Sequence, residues 1–138
     1  MSALLLDTHV LIWLLQDDPK MAEPIFAAIQ AAADEDRLLV SAITPWEIGL
    51  MISKKKLNLG MDVQGWIDLA LGLQGLRLAP LSPRIALDST RLPFDIHPDP
   101  ADRILAATAR PLGATLVTAD RLLLQYGEQG FFNFLAAS

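Results

Sequence analysis

Ala3-Leu4-Leu5-Leu6-Asp7-Thr8-His9-Val10-Leu11-Ile12-Trp13-Leu14-Leu15 is the stretch that decides the fold. It opens as a continuous apolar run, which suits a strand buried on both faces. Asp7 closes the run. Apolar residues then recur at helical spacing, so a helix is expected over residues 9–15. A strand that feeds straight into a helix is the opening of a βαβ unit. Runs of the same kind at residues 38–41 and 115–118 are read as strands, residues 76–81 as a weaker one, and residues 131–135 as a fifth at the edge.

Helical patterns fill the intervals. Residues 24–33 are alanine-rich with apolar positions at helical spacing. Residues 45–53 follow Thr44 as N-cap, with Pro45 at the first helical position. Residues 63–73 follow Asp62, and residues 83–89 follow Ser82. Residues 100–110 follow Asp99 and stop near Gly113, and residues 121–126 stop at Gly127. Strands alternating with helices imply right-handed crossovers and a parallel sheet covered on both sides, an α/β sandwich of the doubly wound type.

A length of 138 residues fits one domain spanning 1–138. Hydrophobic residues make up 52% of the chain, yet each apolar run is short and broken by Asp, Pro, Lys or Arg. None approaches the roughly 20 apolar residues of a membrane span. The opening lacks a basic segment and meets Asp7 early, so it does not read as a signal peptide. Without cysteine there is no disulfide framework, which fits a cytoplasmic protein.

The net charge of -5 runs against nucleic-acid binding, which normally favours a basic surface. Either the protein avoids nucleic acid, or its acids gather at a metal site where bound cations reverse the local sign. Composition alone favours the first reading; the placement of the acids decides.

Ligands of open α/β sheets bind beyond the carboxyl ends of the strands. Asp7 ends the first strand, Glu47 lies in the first turn of the helix after the second, and Asp120 comes just after residues 115–118. Asp99 and Asp102 begin the helix that runs into that last strand. Each acid also has a structural explanation. Asp7 can cap a helix, Thr44-Pro45-Trp46-Glu47 is a capping box, Asp102 sits three residues after the cap Asp99, and Asp120 can cap the last helix. Together, however, they would repel: a pair near 4 Å costs about 1 kcal/mol in water and about 4 at an effective dielectric of about 20. Convergence of this kind calls for a cation. Hard oxygen donors, no cysteine and few histidines point to Mg²⁺ or Mn²⁺ rather than zinc.

The opening stretch resembles the first motif of PIN-domain proteins, particularly the VapC-type toxins of bacterial toxin–antitoxin pairs. Ser41-Ala42-Ile43-Thr44-Pro45-Trp46-Glu47-Ile48 is similar to the second motif, and residues 97–109, from His97-Pro98-Asp99-Pro100-Ala101-Asp102-Arg103, to the third. Leu116-Val117-Thr118-Ala119-Asp120 corresponds to the fourth. The resemblance covers roughly residues 4–135, with the motifs in family order.

It implies a PIN-like three-layer α/β/α sandwich with a central, mainly parallel sheet of four to five strands. It also implies a Mg²⁺- or Mn²⁺-dependent endoribonuclease, a homodimer, and a small cognate antitoxin. Asp7, Glu47, Asp102 and Asp120 become the metal-binding and catalytic acids, with Asp99 an auxiliary close neighbour of Asp102. Thr8 and Thr118 are auxiliary groups that orient water or carboxylates. Arg103 and Arg121 each follow a site acid and are candidate RNA contacts, as are Lys54, Lys55 and Lys56, whose other reading is a solvated helix end. A carboxylate site leaves His9 and His97 no necessary task, and Trp13, Trp46 and Trp66 read as core or dimer contacts.

Phosphotransfer folds also place Asp at the end of a first strand. The haloacid-dehalogenase pattern needs a second Asp where His9 stands, and a receiver domain needs a lysine late in the chain, whereas none follows Lys56. A PIN-like module that only binds RNA or protein is the remaining alternative.

Overall fold

A computed structural model describes residues 2–94 and 98–138, so His97 lies outside the described residues. Its centre is a five-stranded sheet of β1 (Leu4–Leu6), β2 (Leu38–Ser41), β3 (Leu76–Ala79), β4 (Thr115–Thr118) and β5 (Asn133–Ala136). The order is β3-β2-β1-β4-β5, and all four neighbouring pairs are parallel. The expected mainly parallel sheet is therefore parallel throughout. β3 stops before Pro80, which has no N–H to extend the ladder. β5 starts later than the apolar run suggests, because Phe132 is buried against the helices while pairing begins at Asn133.

The helices are α1 (Thr8–Gln16), α2 (Glu23–Asp34), α3 (Ile43–Ser53), α4 (Val63–Leu71), α5 (Pro83–Asp88), α6 (Pro100–Leu112) and α7 (Arg121–Glu128). Side chains of β1 alternate between two cores, as strand geometry requires. Leu4 and Leu6 pack with Val10, Ile29, Ile48 and Trp66 from α1 to α4. Leu5 packs with Leu105, Leu123 and Tyr126 from α6 and α7. The result is three layers, α/β/α.

The start of α3 departs from the capping-box reading. The helix begins at Ile43, and Ser41 Oγ accepts the Ile43 N–H at 3.1 Å. Thr44 is not the cap: it lies inside the first turn, buried, and its hydroxyl pairs with that of Thr8 at 3.3 Å. Glu47 is thereby released from a capping role.

At Gly75, just before β3, φ is +82° and an added Cβ would sit 1.9 Å from the Ala33 carbonyl oxygen at the end of α2. Only glycine admits that crossing.

β1, β2 and β3 are laid down in one direction, then β4 and β5 on the other side of β1. The order reverses between β1 and β4, which opens a crevice at their carboxyl ends. The Asp7 N–H donates to the Val117 carbonyl at 3.1 Å and ties the two strands at that point.

Candidate metal centre

Four helices begin at this crevice, and an acid stands at the start of each. Asp7 caps α1, its Oδ1 accepting the Val10 N–H at 2.8 Å. Its Oδ2 accepts the hydroxyl of Thr118, the last residue of β4. Asp120 caps α7, accepting the Leu123 N–H at 2.9 Å, while its own N–H donates to Thr118 Oγ1 at 3.0 Å. Thr118 thus stands between the two acids, completely buried. Asp99 caps α6, its Oδ1 accepting the N–H groups of Ala101 at 2.8 Å and Asp102 at 3.2 Å. Glu47 and Asp102 project from the first turns of α3 and α6, both half-buried. Helix N-termini carry partial positive charge, so they tolerate acids and favour anions.

Asp7, Glu47, Asp99, Asp102 and Asp120 all line one cleft of about 380 Å³. Each of Glu47, Asp99 and Asp102 offers a carboxylate oxygen, and these atoms lie within 4.8 Å of one another. Thr8 is also in the lining, while Thr118 lies beneath it. His9, Trp13 and Ala119 complete the wall. The signal for His9 was its place two residues after Asp7, in the first turn of α1, which faces the same crevice.

The acids are electrostatically frustrated. Burial pushes the Asp7 carboxyl up, opposed by its bonds from Thr118 and Val10. Burial raises Glu47 as well, opposed by the Thr8 side chain and reinforced by Asp99. Asp102 is driven to about 8, first by burial and then by the charges of Asp99, Asp120, Glu47 and Asp7. A cation placed among them would reverse the preference for the protonated forms.

The remaining candidates fall elsewhere. Neither Arg103, half-buried, nor Arg121, exposed, is in the cleft lining among the described residues. Lys54 and Lys56 line a second groove, of about 450 Å³, and Lys55 is exposed outside it. Of the tryptophans, Trp66 is core as expected and Trp13 is half-buried in the cleft wall, whereas Trp46 is 51% exposed. The core reading of Trp46 is corrected: α3 buries Ile48 and Thr44, and Trp46 lies on another face.

Residues 4–129 match the family model described as PIN domain. Ribonuclease VapC22 of Mycobacterium tuberculosis is 32% identical over 123 residues, which cover 89% of this chain and 91% of that protein. VapBC2 from Rickettsia felis, bound to a DNA fragment from their promoter, superposes with a TM-score of 0.70 at 17% identity, covering 96% of this chain and 97% of that one. FitAcB from Neisseria gonorrhoeae gives 0.66 at 22% identity, covering 97% of each chain. At such identities the two structures bear on the fold.

Proposed function

Because the chain belongs to the PIN-domain family, we propose that its acidic cleft hydrolyses RNA phosphodiester bonds with Mg²⁺ or Mn²⁺ as cofactor. One observation carries the reading: three carboxylate oxygens, from Glu47, Asp99 and Asp102, lie within 4.8 Å of one another in a cleft that also holds Asp7 and Asp120. The donor set is all oxygen, which fits a hard divalent cation.

Glu47, Asp99 and Asp102 would hold the cation, with Asp7 and Asp120 completing its surroundings. When bound, the cation supplies a water of lowered pKa and neutralises charge on the scissile phosphate. The chain's own groups set the geometry. Val10 and Thr118 fix both oxygens of Asp7, and the Ala101 and Asp102 amides fix Asp99. Burial and the neighbouring acids push the Asp102 carboxyl up to about 8, so a cation held there would compete with its proton. The N-termini of α1, α6 and α7 add partial positive charge where an RNA phosphate would approach.

Likeness to VapC-type proteins extends the proposal to a cytoplasmic toxin that forms a homodimer and is held in check by a small cognate antitoxin. Among the described residues no helix is long and apolar enough to cross a membrane.

The deciding experiment is cleavage of total RNA by purified protein with Mg²⁺, with Mn²⁺ and with EDTA, alongside folded Asp7→Asn and Asp102→Asn variants. Metal-dependent cleavage absent from both variants is expected. Cleavage that persists in EDTA, or in the variants, overturns the mechanism. RNA binding without any cleavage replaces the enzyme with a binding module.

A further inference from the structure

The second groove opens directly off the acidic cleft, sharing His9, Glu47 and Asp99 as common wall. Its other side is α3 and the turn that follows. Trp46, Leu50 and Lys54 are spaced by four, so they share one face of the helix. Trp46 and Lys54 are about 12 Å apart along the axis. Lys55 then takes a left-handed conformation, φ 59°, which turns the chain so that Lys56 rejoins the groove.

We propose that this groove carries a single RNA strand out of the cleft, with Trp46 as a stacking platform for an unpaired base and Lys54 and Lys56 as phosphate anchors. The inference rests on the ribonuclease reading and adds a direction to it. A strand whose phosphate sits among the acids has to leave by some surface. Lys54-Lys55-Lys56 is the only run of consecutive basic residues in a chain of net charge -5, and it lies at the far end of a groove that begins at Glu47. No ion pair among the described residues engages these lysines. Trp46 stands next to Glu47 with half its surface open to solvent, an arrangement that packing does not require. A base stacked there fixes the register of the chain relative to the scissile bond, and stacking tolerates any base.

The platform works only on unpaired bases, which supplies the test. Binding of a fluorescent single-stranded RNA oligomer of mixed sequence, and of the blunt duplex of that sequence, is measured on Asp102→Asn protein with Mn²⁺. The expected result is a preference for the single strand. Trp46→Ala weakens single-strand binding roughly tenfold or more and erases the preference, while Trp46→Phe keeps most of both. Lys54→Glu with Lys56→Glu lowers the slope of log affinity against log salt by about 1 to 2. If Asp102→Asn protein binds RNA and the folded variants bind it with the same preference and slope, the strand runs elsewhere while the nuclease reading stands. If that protein binds no RNA and the unaltered protein cleaves none, both readings fall. Unchanged RNA binding with an altered sedimentation coefficient would make the face a contact between copies of the chain, and overturn the proposal.

Discussion

The Thr118 hydroxyl donates to Oδ2 of Asp7, joining the ends of β4 and β1 across the point where the strand order reverses. A buried carboxyl here depends on a neighbour in the next strand for one oxygen and on the Val10 amide for the other. Thr118→Val keeps the shape and removes the hydroxyl. It should destabilise the protein in EDTA by about 1 to 3 kcal/mol, read from urea denaturation. Thr118→Ser should recover most of the loss. Equal stability of the valine and serine variants would show that the hydroxyl contributes nothing.

Stability without metal should fall as pH rises. Asp102 has an ordinary carboxyl pKa of 3.8 when unfolded and about 8 when folded, so between those values the native state binds more protons. Its favourable contribution is complete at low pH and lost as pH passes through about 8. The raised values of Asp7 and Glu47 act in the same sense. Denaturation in EDTA at pH 6 and pH 8.5 measures this, and Asp102→Asn should flatten the difference. A variant with an undiminished slope would place the effect elsewhere.

Cation binding should reverse that trend and release protons. A cation held at Asp102 would displace that carboxyl's proton, so apparent Mn²⁺ affinity should rise with pH and level off above about 8. Calorimetric titration in two buffers of different ionisation enthalpy counts the protons released. Binding at pH 6 with no proton release would separate Asp102 from the metal.

Asp99→Asn isolates the charge of a capping acid. Asparagine caps helices as well as aspartate, so α6 and its Ala101 and Asp102 amide bonds should survive. Metal affinity should drop by roughly tenfold or more while thermal stability in EDTA holds or increases. Unaltered affinity would leave Glu47 and Asp102 to bind the cation without Asp99.

Gly75→Ala tests the backbone crossing beneath β3. The new methyl group would overlap the Ala33 carbonyl, and the left-handed φ adds strain, so a loss of about 3 kcal/mol or more is expected in urea denaturation. Gly60→Ala, with a φ of +72° but open space around it, should cost only about 1 kcal/mol.

Local patterns carried the elements whose causes are local. The apolar run ending at Asp7, the cap-then-proline starts at Ser82 and Asp99, and the stop at Gly113 were readable because each depends on residues a few positions apart. The family resemblance placed the acids in motifs, and the parallel sheet brings those motifs to one edge. What escaped depends on partners distant in sequence. Thr44 looked like a cap, but Thr8 claims its hydroxyl and Ser41 serves the helix start. Trp46 reads as a core or dimer contact, and the core half of that reading fails because the side of α3 that faces inward is settled by packing around Ile48. Asp99 was legible as a cap, while its closeness to Glu47 depends on how α3 and α6 are set against each other.

The reversal of strand order also fixes when the cleft can exist. Asp7 emerges from the ribosome well before β4, which grips it, and before Asp120. A nascent chain halted after α5 would hold β1, β2 and β3 with Asp7 and Glu47 but none of Asp99, Asp102 and Asp120. The cleft is therefore closed only once α6, β4 and α7 have followed β3 out of the ribosome, and a chain halted earlier lacks the assembled cluster of acids.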